Sequence, residues 1–154
     1  MCLSKLFRIH DHDFDPDDYD KPKVSLKNID SFERITLHES GMRFVVEYEV
    51  LNKGDIAEVS LYNTGYDHEK NEQTRTLRER GEIEMSSFME TIKKCDIASW
   101  DHFHGSHPKG VLDGIMFRFE AVVNDGYKMS ASGSQNFPKH YHEFHDVITA
   151  AFRE

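Results

Sequence analysis

The sequence predicts an α+β domain: a five-stranded antiparallel sheet in the order β-β-β-α-β-β-α, with two helices packed on one face. Three observations carry this expectation. Several segments alternate apolar and polar residues with the period of two that marks a strand buried on one side. Hairpin-type turns separate them, notably Asn52-Lys53-Gly54-Asp55 and Asp125-Gly126. Two other segments repeat apolar residues at helical spacing. Hairpins imply antiparallel pairing, and two amphipathic helices suffice to cover one face of such a sheet.

The elements follow in order. Arg34–His38 reads as a short strand ending at the Ser40-Gly41 turn. Arg43–Asn52 reads as the longest strand, with Phe44, Val46, Tyr48 and Val50 toward the core. Ile56–Tyr62 is the third, with Ala57, Val59 and Leu61 on its apolar side. Residues 63–82 are almost wholly polar and read as a long connection, either mobile or functional. Ser87 with Glu90 three residues later has the form of a capping box, opening a helix with the stripe Phe88, Met89, Ile92 and Cys95. Residues 97–113 read as a loop rich in His and Gly around Trp100.

Ile115–Asn124 is the fourth strand, with Phe117, Phe119, Ala121 and Val123 on one face. Asp125-Gly126 turns it into a fifth, Tyr127–Ser132, through Tyr127, Met129 and Ala131. Pro138 suits the first turn of a last helix, whose core face carries Tyr141, Phe144, Ile148 and Phe152.

A chain of 154 residues sits near the common domain size, and aromatics (Phe 11, Tyr 6) supply much of its core volume. Residues 1–30 read as a flexible acidic arm and residues 31–154 as one domain. Within the arm, His10 to Lys23 holds six aspartates and two prolines, a composition that builds neither helix nor central strand. Two cysteines, one of them Cys2 near the terminus, make no disulfide framework and fit a reducing compartment. With no apolar run of signal-peptide or membrane-span length, the expectation is a cytoplasmic protein that does not enter membranes.

The formal net charge is −9, which argues against direct nucleic-acid binding and permits a basic protein surface as partner, although charge by itself speaks first to solubility. Protonating all ten histidines would bring the charge from −9 to +1. A charge-driven complex should therefore weaken as the pH falls through about 6.5.

Candidate chemistry lies in three places. His102, His104 and His107 fall within six residues, and neutral imidazole is a good zinc ligand. Their spacing resembles the His-x-His-x-Asp-His box of the metallo-β-lactamase fold. Ser106 replaces its Asp, however, and the chain is too short for that fold, so nothing carries over. His142 and Asp146 lie one helical turn apart, with His145 beside them. If the loop packs on the helix, a zinc site follows, with Glu143 as general base; otherwise both clusters are solvated polar surfaces. The third place is acidic: Asp13, Asp15, Asp17 and Asp18 of the arm, with Glu47, Glu49 and Glu58 on the sheet face away from the helices. That face is either plain solvated sheet or a docking surface. A calcium loop is excluded at the arm, because Pro16 stands where glycine is required. A phosphate loop is excluded at Gly105–Gly110, because Val111 replaces the lysine.

Leu112-Asp113-Gly114, the aromatic strand after it, Asp125-Gly126 and Gly133-Ser134-Gln135-Asn136-Phe137-Pro138 together resemble a motif of small bacterial and phage proteins with no assigned activity. The resemblance implies a strand–turn–strand–turn–helix unit and no chemistry. The leading functional reading is a non-enzymatic acidic protein-binding module, in its sharpest form a nucleic-acid-mimicking inhibitor of a basic protein. It needs no cofactor. One alternative is a zinc-dependent hydrolase built on His102, His104, His107, His142 and Asp146. A second is a structural domain of an assembly.

Overall fold

The computed structural model describes residues 26–153. Seven strands form one mixed sheet: β1 (Phe32–Gly41), β2 (Phe44–Asn52), β3 (Ile56–Asp67), β4 (Glu72–Glu84), β5 (His104–Gly105), β6 (Met116–Val123) and β7 (Tyr127–Ser134). Helix α1 (Met85–Lys94) follows β4, a 3-10 turn spans Ile97–Trp100, and α2 (Tyr141–Ala150) comes last. The spatial order is β4-β3-β2-β1-β6-β7-β5. Neighbours pair antiparallel except β5, which lies parallel to β7 through His104–Ser132 and Gly105–Gly133. The α+β class holds, but the five-stranded antiparallel expectation is corrected to a seven-stranded mixed sheet.

Both added strands come from segments without an apolar face. Residues 63–82 are not a connection: β3 runs on to Asp67 and returns as β4 in a long hairpin. The Asp67 side chain accepts the amides of Glu69 and Lys70 at 3.0 and 3.3 Å and shapes the turn. From Glu72 to Arg80 every residue of β4 is exposed, so backbone pairing to β3 holds the strand without an apolar stripe. β5 is two residues long, too short to carry a period. The expected capping box at Ser87 is also absent. Helix α1 starts at Met85, with Glu84 at its N-cap position and no side-chain cap, because β4 runs directly into it.

β1 is the central strand, longer than its sequence pattern suggests, and Ile35 stands between Val50 of β2 and Ala121 of β6. One face of the sheet presents Ile35, Leu37, Val46, Tyr48, Val50, Ala57, Val59, Leu61, Phe117, Phe119, Ala121 and Val123, all buried. Phe88 and Ile92 of α1, Trp100, and Phe144 and Ile148 of α2 close over that face in a single core. Trp100 is wholly enclosed: its ring meets Phe119 and Phe144 edge-on at 5.1 and 5.5 Å, and its Nε1 donates to the Lys139 carbonyl at 2.8 Å. Burying each such large side chain is worth about 1.5–3 kcal/mol, so this cluster fastens the helices to the sheet. Phe44, expected in the core, is exposed at the β1–β2 turn.

The β6–β7 hairpin turns on Asn124 and Asp125, at φ 46° and 62°, with Gly126 following at 114°. Two successive left-handed residues match the twist of the paired strands, and Asn and Asp tolerate that region best after glycine. Asn124 also clips the chain leading into β1. Its Oδ1 accepts the Asp30 amide at 2.7 Å, and its Nδ2 donates to the Asn28 carbonyl at 2.6 Å. Among the described residues no helix is long and apolar enough to cross a membrane.

Candidate functional site

Because both described helices lie on one side, the other face of the sheet carries no helix among the described residues. The pairing aligns one row of side chains across it: Leu77, Tyr62, Glu47, His38, Arg118, Ser132 and His104, one from each strand. A second row runs Arg80, Ser60, Glu49, Thr36, Glu120 and Ser130. The composition is a mosaic of both charges.

Glu47 and Glu49, expected to stand free for a partner, are only 7% and 8% exposed. Arg75 reaches across from β4 and covers them. Its guanidinium lies 3.5 Å above the Tyr62 ring, donates from Nε to Glu47 at 2.7 Å, and contacts Glu49 at 3.3 Å. Arg34 meets Glu49 at 3.2 Å, and His38 meets Glu47 at 3.2 Å. Burial draws the His38 pKa below 6.5 and outweighs the opposing pull of Glu47. The alternation of β2 marks these carboxylates as facing away from the core. It does not reveal that an arginine from β4, a segment with no strand pattern, would neutralise them.

Glu58 is less enclosed, with Arg80 Nε at 3.8 Å. Directly opposite it on β4 stands Glu82, and Glu84 follows on the same face opposite Ile56. Two carboxylates paired across strands repel, and among the described residues this corner sets the three carboxylates of Glu58, Glu82 and Glu84 against the guanidinium of Arg80. Asp13, Asp15, Asp17 and Asp18 lie outside the described residues.

The histidines expected to share a zinc ion are placed apart. His104 and His107 lie against β7 on the uncovered face, their Nδ1 atoms 3.3 and 2.8 Å from the hydroxyls of Ser132 and Ser134. His102 sits 3.5 Å from Asp101. His142 packs on Phe137 and Tyr141 along α2, with Asp146 on the same helix and the sheet between them and His104. Among the described residues no three His, Cys, Asp or Glu side chains are grouped to hold a metal ion. Cys95 is buried beside Glu143, and burial first, then that carboxylate, pushes its thiol up to about 11. It is a core thiol with little thiolate character.

Sequence reasoning missed a polar cluster inside the helix-covered face. Glu39 of β1 is buried, accepts the Tyr141 hydroxyl at 2.5 Å, and meets His145 Nε2 at 3.0 Å. Burial alone would raise the Glu39 pKa, but the bonds from His145 and Tyr141 hold it below its ordinary value. The Glu39 bond raises His145 in turn, against the effect of burial. Tyr141 is driven well above its ordinary value, burial first and the Glu39 charge second. The available signal was the parity of β1: Glu39 stands two residues beyond Leu37, on the core side. The chain matches no protein-family model, no curated protein and no solved structure.

Proposed function

We propose that the protein is a protein-binding module that receives a basic surface on its uncovered sheet face, at the β3–β4 edge. The observation that carries this reading is the direct opposition of Glu58 and Glu82, with Glu84 beside them. A cationic side chain arriving there relieves a repulsion already present within the fold. The net charge of −9 adds long-range attraction for such a partner. Mimicry of a nucleic acid is the sharpest form of the reading. It places the recognition charge on Glu58, Glu82, Glu84 and the aspartates of the arm. Glu47 and Glu49 serve the fold instead, since Arg75 and Arg34 already occupy them.

The test is titration of the full chain with a decalysine peptide. Affinity should fall steeply from about 50 to about 500 mM salt. It should also fall between about pH 8 and pH 5.5 as the histidines charge. Glu58→Gln with Glu82→Gln should weaken binding more than the equally charged control Glu90→Gln with Asp146→Asn. Equal losses in the two double variants, or affinity that ignores salt, would reject the assignment.

A further inference from the structure

At the opposite edge of the same face, the loop after β5 folds back on the last residue of β7. His107 Nε2 lies 2.5 Å from the Val111 carbonyl oxygen, and its Nδ1 lies 2.8 Å from Ser134 Oγ. A carbonyl only accepts, so Nε2 carries the proton of the neutral ring and Nδ1 offers its lone pair to the Ser134 hydroxyl. This is a nucleophile bonded to a base, with the base oriented by a third group, the arrangement that activates serine in acyl transfer. Gly114 leaves room for the imidazole, since a Cβ there would stand 3.2 Å from His107 Cε1.

The surroundings of Ser134 suggest what it would act on. Met116 is its direct cross-strand neighbour, and the row continues through Ser40 to Val45. Met116 and Val45 are 58% and 48% exposed, and Leu112, next to the carbonyl that orients His107, is 96% exposed. The exposed Met116 side chain therefore borders the serine directly, with Val45 farther along the same row beyond Ser40. Arg118 stands one position along the same face of β6, opposite Ser132.

We infer that Ser134, with His107 as base and the Val111 carbonyl as its orienting group, is a nucleophile for carboxylic esters with an apolar acyl chain. Ser134 Oγ bonds to the carbonyl carbon while its proton passes to His107 Nδ1. The ester C–O bond breaks and the departing alkoxide takes that proton. Water then repeats the sequence: its proton goes to Nδ1, its oxygen to the carbonyl carbon, and the acid leaves as Ser134 recovers its hydrogen. Ester and water give acid and alcohol. This inference goes beyond the docking assignment and is independent of it.

The experiment treats the full chain with an alkyl fluorophosphonate and maps the adduct by mass spectrometry. One phosphonyl group should form on Ser134. Ser134→Ala should abolish it, and His107→Gln should slow it about 100-fold, the scale of a lost general base. Ser99→Ala should label as the parent protein does. Ser134→Cys gives a second reading: near neutral pH its iodoacetamide alkylation should outpace that of Ser99→Cys by about tenfold or more, because His107 takes the thiol proton. Absence of an adduct at Ser134, an unchanged rate in His107→Gln, or equal alkylation of the two cysteine variants would each overturn the inference.

Discussion

Glu39, Tyr141 and His145 form the polar cluster that joins the central strand to the last helix, and their titration sets a pH signature. The Glu39 pKa is lowered in the fold, so its contribution is present above its unfolded value of 4.5 and is lost as pH falls through the folded value. The His145 pKa is raised, so its contribution is full below 6.5 and is lost as pH rises through the folded value. His142 and Asp146 on α2 and Tyr48 on β2 face the same cluster. The melting-temperature difference between the parent protein and His145→Gln should peak between 4.5 and 6.5 and shrink toward about pH 9. Thermal scans across pH check this, and a difference that grows with pH would refute it. His38 acts with the opposite sign, since its lowered pKa costs stability as pH falls below 6.5. None of these shifts was legible beforehand. The residue types were visible, but Glu39 meets Tyr141 and His145 from about a hundred positions away in the chain, and the burial that lowers His38 depends on the assembled sheet.

Among elements, β4 shows most clearly what a pattern can and cannot reveal. Strands β2, β3, β6 and β7 were legible from alternation because each has one buried face. From Glu72 to Arg80, β4 buries no side chain and stays in the sheet through its pairing with β3 and the reach of Arg75, and Ile83 near its end packs against the core. Gly81 faces the end of α2, and a Cβ there would stand 2.1 Å from the Ala151 carbonyl oxygen. Backbone cannot swing aside as a side-chain tip can. Gly81→Ala should therefore cost about 1–3 kcal/mol in a urea melt, whereas a β4 that stood free of α2 would tolerate the methyl. The candidate sites divide along the same line. The histidines of residues 102–107 and of α2 were identifiable as residues, but that His104 would lie across the sheet from α2 depended on the two-residue strand β5.

At the scale of the molecule, a single core predicts a single unfolding event. Trp100, the sole tryptophan, sits in the middle of that core against Phe119 and Phe144, so its fluorescence should report global unfolding. Its transition should coincide with the loss of far-UV circular dichroism. Phe144→Ala should lower stability by about 3–5 kcal/mol and shift both signals together. Separate midpoints would mean that β3 and β4 melt on their own.

The junction of β1 with β6 also governs how the chain is assembled. Strands β1 to β4 are a meander whose partners are sequence neighbours, but the other side of β1 waits for β6, with Leu37 paired to Phe119. During synthesis, the future centre of the sheet is therefore an open edge until more than eighty further residues have been added. Closing so long a loop slows folding toward the millisecond-to-second range typical of such topologies. In that interval the bare edge of β1 is the surface most exposed to unwanted strand pairing.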